Sequence, residues 1–152
     1  MAKDTDELNN ILKNTHTSDI QDYFEANADS MLSDDRPFAD YMRELIKTKG
    51  IKQQDVFLEA DIPERYGYKL IAEEKRTRQR DIILRICYAA RLTPEETDGA
   101  LKRYGMPTLY AKDKRDAILI VLFNERPGDI LKVNSILKEN GVDTLKSCGV
   151  QD

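Results

Sequence analysis

Residues 61–81 read DIPERYGYKLIAEEKRTRQRD, and the fold turns on how this stretch is divided. Asp61-Ile62-Pro63 is a break. Proline fixes its own φ and disfavours helix in the residue before it, so one helix ends ahead of Ile62. A second helix starts at Pro63, where a missing N–H costs nothing, and is expected to run to about Glu74. Gly67, Leu70 and Ile71 fall on one side of it, and Arg65 and Lys69 lie one turn apart on the other. Lys75, Arg76, Arg78 and Arg80 then form a basic run of the kind that grips phosphate. Between Pro63 and Arg80 six Lys/Arg meet three Glu, a local +3 inside a chain of net charge -4, so the rest carries -7.

Working outward, IKQQDVFLEA (51–60) supplies a short helix over roughly 52–60. Ala60 is small where two helices must approach, and Ile62 can plug the gap between them. Gln53 stands at the start of that helix, where a side chain and a helix N-terminus can meet a phosphate. Gln79 to Ala90 forms the next helix, with Ile82, Ile83, Ile86 and Ala90 on its apolar side. Three short helices with a tight break between the first two fit a helix-turn-helix arrangement.

The flanks are helical as well. Asp4 with Glu7 reads as a capping box ahead of Leu8, Ile11 and Leu12. Ser18 with Gln21 opens a second short helix with the stripe Ile20, Tyr23, Phe24 and Ala28. SDDRP (33–37) is the expected linker. Pro37 then begins a helix carrying Phe38, Met42, Leu45 and Ile46, which Gly50 ends. TPEE (93–96) joins a cap, a proline at the first position and a glutamate three after the cap; its helix runs to Tyr104. Asp113 caps a helix to about Asn124, and Gly128 or Asp129 starts one ending near Gly141. AILIVLF (117–123) has the content of a strand, but its flanks KDKRD and NERPGD favour a buried helix. The fold class expected is all-α.

Composition excludes much. With 40% apolar and 34% charged residues over 152 positions, the chain reads as a soluble globular protein. The longest apolar run, 117–123, is too short to span a bilayer, and MAKDTDELNN lacks the pattern of a signal peptide. Two cysteines, Cys87 and Cys148, make neither a disulfide framework nor a metal spacing, which fits a reducing cytoplasm. His16, the single histidine, lies in the polar turn NTHTS. Without metal-ligand spacing, a histidine-centred triad or a glycine-rich phosphate loop, no enzyme, catalytic residue, metal or cofactor is expected.

The stretch IKQQDVFLEADIPERYGYKLIAEEKRTRQRDIILRICYAARLTPEE (51–96) resembles the lambda-repressor-like helix-turn-helix domain of the xenobiotic response element (XRE) family of regulators. EKR at 74–76 stands where that family carries a Gly-Lys-Arg turn, and Ile86 to Thr93 matches the end of its fourth helix. LNNILKNTHTSDIQDYFEANADSML, LYAKDKRDAILI and ILKVNSILKENGVDTL resemble the extensions of a bacterial subgroup with unassigned targets. The chain departs from the pattern at Asp61, where the family has glycine, at Pro63, where it has Ser or Thr, and at Glu74.

The resemblance implies a helix-turn-helix bundle at 37–104 with helical extensions at 1–33 and 105–146. It implies a regulator that binds double-stranded DNA. Glu64, Arg65, Tyr66 and Lys69 would meet base edges; Gln53, Lys75, Arg76, Arg78 and Arg80 would hold phosphates. Such domains commonly bind as homodimers, and 116–145 is one candidate for self-association. The other class is a protein-interaction module that kept the scaffold, its partner unknown; net acidity and Glu64, Glu73 and Glu74 speak for it. Tyr66 and Tyr68 read equally as packing residues. KDKRD (112–116) reads as a helix cap with paired charges, or else as a second phosphate contact.

Overall fold

A computed structural model describes residues 3–26 and 36–148. The chain divides into two compact units, residues 1–36 and 37–152. In the described part of the first, α1 (Thr5–Lys13) is N-capped by the Asp4 carboxylate, which accepts the Glu7 amide, and a 3-10 turn (Thr17–Asp19) leads into α2 (Ile20–Ala26). Most of the expected linker, and Ala28, lie outside the described residues.

The second unit is built from α3 (Phe38–Thr48), α4 (Gln53–Ala60), α5 (Glu64–Ile71), α6 (Arg80–Ala89), α7 (Pro94–Arg103), α8 (Lys114–Glu125) and α9 (Ile130–Glu139). With α1 and α2, every regular element among the described residues is helical, and no helix there is long and apolar enough to cross a membrane. The protein is all-α. A division after Tyr104 does not separate compact units, because α8 packs on α7 and α9 on α6, so the C-terminal helices complete the core.

The centre of that core is α6, whose residues from Asp81 to Ala89 are all buried. Sequence patterning sees Ile82, Ile83 and Ile86 there, but the helix is enclosed on every side. α4 lies across it through Val56, Phe57 and Ala60. α5 crosses α4 closely: a Cβ at Gly67 would fall 2.4 Å from a ring carbon of Phe57, so only glycine fits. Ile62 plugs the turn as expected, 5% exposed.

The three-residue link between α4 and α5 turns at Asp61, in the left-handed region (φ 57, ψ 50). A glycine would take this conformation without cost, and aspartate is among the few other residues that tolerate it. α5 ends three residues earlier than expected. Glu73 is left-handed (φ 59), and the Glu74 amide folds back onto the Lys69 carbonyl at 2.9 Å, closing the helix. Residues 72–79 are therefore a loop.

Candidate nucleic-acid interface

The outer face of α5 gathers Glu64, Arg65, Tyr68 and Lys69 around a shallow depression of about 560 Å³ with Glu74 at its edge. Glu64 and Arg65 are exposed and Lys69 half-buried. Tyr66 is a correction: it packs half-buried against the core. Tyr68, two residues on, stands beside Arg65 and Lys69 instead. Its ring meets Phe57 edge-on at 4.9 Å and keeps 42% of its surface exposed. Helical arithmetic explains the exchange, since positions 65, 68 and 69 share a face and 66 borders the buried residues 67, 70 and 71.

Gln53 is the first residue of α4, half-buried, in a first turn whose N-cap Lys52 makes no side-chain hydrogen bond to the helix. α5 likewise starts at Pro63 without a side-chain cap. By contrast, the starts of α1, α7, α8 and α9 are closed by Asp4, Thr93, Asp113 and Asp129. First-turn amides without a side-chain acceptor leave the positive helix end open to an approaching anion.

The basic run divides in the structure. Lys75 and Arg78 are exposed. Arg76 is half-committed: it donates to the Glu73 carboxylate at 3.0 Å and the Tyr104 carbonyl at 2.8 Å, and its guanidinium lies 4.2 Å over the Tyr104 ring. Arg80 is a further correction. It donates through both terminal nitrogens to Asp116 (2.8 and 2.9 Å), and further to the carbonyls of Pro107 and Thr108 at 3.0 Å each. With those bonds made, its guanidinium holds α6 to α8 instead of reaching outward to phosphate.

Asp116 is 8% exposed at its side chain. Burial pushes its carboxyl up, but the Arg80 bonds, the Tyr110 amide and the charges of Arg80 and Arg115 outweigh that and hold it below the usual carboxylate range. KDKRD is indeed a cap with paired charges. Asp113 accepts the Asp116 amide at 2.9 Å, and Arg115 makes a bidentate pair with Asp81 at 3.0 Å for each bond.

Sequence reasoning passed over Arg85. It is 4% exposed and donates to the carbonyls of Ala60 (3.1 Å), Leu145 and Lys146 (2.7 Å each). Buried arginine in an otherwise apolar helix was the available signal; its acceptors are carbonyls, which side-chain identity does not reveal. His16 is exposed, as expected, and Cys87 is a buried core residue whose thiol is pushed well up by burial.

No protein-family model, curated protein or solved structure matches the chain.

Proposed function

We propose that the protein is a sequence-specific DNA-binding regulator of the lambda-repressor-like helix-turn-helix type. The observation that carries the reading is the outer face of α5, where Arg65, Tyr68 and Lys69 stand together beyond a sharp turn from α4. On docking in the major groove, Arg65 takes guanine O6 and N7, Lys69 a neighbouring acceptor, and the Tyr68 ring a thymine methyl or the sugar edge. Glu64 accepts from a cytosine amino group. The open first turn of α4 at Gln53, with Lys75 and Arg78, holds the backbone, and Arg76 adds what its partners leave exposed.

A second reading is favoured by a specific observation: Arg80 is withdrawn into the fold and Arg76 shared with Glu73 and Tyr104, which thins the phosphate grip. On that reading α5 docks a protein.

Binding to random-sequence duplex at two salt concentrations separates them. The DNA reading expects affinity that falls steeply with salt and falls further in Lys75→Ala/Arg78→Ala. No binding at low salt overturns it in favour of the protein-docking module.

A further inference from the structure

The α8–α9 hairpin repeats the α6–α7 hairpin, 35 positions later through the first helix and 36 after it, with one residue added in the turn after Arg126. Each opens on Arg-Asp, at 80–81 and 115–116, and turns on a left-handed arginine, Arg91 (φ 62) and Arg126 (φ 53). Each second helix is capped by a side chain, Thr93 and Asp129, and is followed by Gly-x-x-Thr-Leu, at 105–109 and 141–145. The hydrogen bonds correspond too. Leu109 N–H donates to Asp98 and Leu145 N–H to Asn134. Arg80 donates to the carbonyls of 107 and 108, Arg115 to those of 143 and 144. Asp116 accepts the amide of Tyr110, Asp81 that of Lys146.

The contacts between the two hairpins are reciprocal, as a twofold relation requires and a stacking translation does not: α7 packs on α8 and α9 on α6. Each arginine pairs with the aspartate of the other hairpin, the reciprocal pattern of an isologous contact. Equivalent residues Tyr88 and Phe123 meet edge-on, with ring centroids 5.3 Å apart.

The internal twofold defines two equivalent seats, one filled and one open. On the first hairpin, α4 packs on α6, where Ile83, Ile86 and Ala90 are each 0% exposed, and Gly99 of α7 meets Tyr41 of α3. The equivalents on the second are Ile118, half-buried, Val121, 54% exposed, Glu125, exposed, and Ser135, exposed.

We propose that this open seat on α8 is the interface for a second copy of the chain, docked helix to helix and antiparallel. Lys114, Ile118, Val121 and Glu125 fall at i, i+4, i+7 and i+11, a single stripe down α8. The stripe is self-complementary. The pairs 114/125 and 118/121 share one midpoint, so a twofold through it sets Ile118 against Val121 of the second copy and Lys114 against Glu125 of the second copy. Ala117, beside the stripe, lets the helices approach. One helix face is a small contact, so the dimer dissociates at roughly tens of micromolar. The interface is independent of the DNA reading and is measured without DNA.

Sedimentation equilibrium of the full chain over a wide concentration range tests it. A reversible dimer is expected. Val121→Asp should abolish it, and Lys114→Glu or Glu125→Lys alone should weaken it about tenfold. The double variant Lys114→Glu/Glu125→Lys, which reverses both ends, should recover most of the loss. These side chains lie on the surface, so at a concentration well below the dimer dissociation constant thermal unfolding of each variant should match the parent. A monomer at every concentration overturns the proposal, as does a dimer unmoved by Val121→Asp, or a double variant no better than the singles.

Discussion

Two groups of arginines, which meet in sequence at Arg78 and Arg80, are placed in opposite ways by the fold. Arg65 and Arg78 face outward from α5 and the loop after it, whereas Arg80 and Arg115 face inward at the starts of α6 and α8, each gripping a buried aspartate and two carbonyls. All four carry the same charge, and in sequence Arg78 and Arg80 belong to one run. Arg80 and Arg115 turn inward because the fold brings a buried carboxylate opposite each of them. A cationic run is thus an upper bound on a phosphate grip, and the fold subtracts from it.

The sharpest way to break that contrast is Asp116→Ala. Arg80 would be left partly buried without its carboxylate and the Tyr110 amide without its acceptor, a cost of about 2–4 kcal/mol in thermal or denaturant unfolding. On the DNA-binding reading, at a temperature where the variant stays folded its DNA affinity should equal the parent's. On the same reading Arg65→Ala/Lys69→Ala should show the reverse: stability within about 0.5 kcal/mol, and DNA affinity down by about 2–4 kcal/mol, read by fluorescence anisotropy.

Acid unfolding sharpens the same contrast. Asp116 and Glu96 are both held below the usual range: burial opposes this in each, and bonds to Arg80 and Tyr110, or to Lys49 and Thr93, outweigh it. The folded state therefore binds fewer protons than the unfolded one. The stability these groups contribute is complete above their unfolded pKa, near about 4, and is lost as pH falls through the lower folded values. Asp116→Asn should flatten that acid limb, whereas substitution of Lys75, on the exposed loop, should leave it unchanged.

The smallest effect should come from Asp98. Burial raises its carboxyl above the usual range despite the bond from the Leu109 amide. A raised folded pKa means that stability falls as pH rises through it, so the charge costs something at neutral pH. The repeat carries an asparagine at the matching place, Asn134, accepting the same bond. Asp98→Asn should keep the acceptor and remove the charge, gaining a few tenths of a kcal/mol at pH 7 and nothing at pH 3, whereas Asp98→Ala should destabilise at both.

The helices were legible because their punctuation is local. Asp4, Thr93, Asp113 and Asp129 each cap a helix with the side chain, Thr93 with the full capping box and Asp4 with only its own half of one, and Asp129 rather than Gly128 is the start of α9. The role of Arg80 was not legible, because Asp116 lies 36 positions away and a charge run does not say which member has a distant partner. Tyr66 and Tyr68 were separable only by asking which one shares a face with Gly67, Leu70 and Ile71. The end of α5 was missed because a left-handed glutamate, Glu73, stands where glycine would have announced the turn.

Cys87 sits in the last turn of α6 with no exposed surface, its thiol pushed far above the ordinary range by burial. In a chain without tryptophan this gives the core a built-in clock. A thiol reagent reaches Cys87 only when α6 is uncovered, so its rate of modification counts openings of the fold, and every variant above can be timed by the same atom.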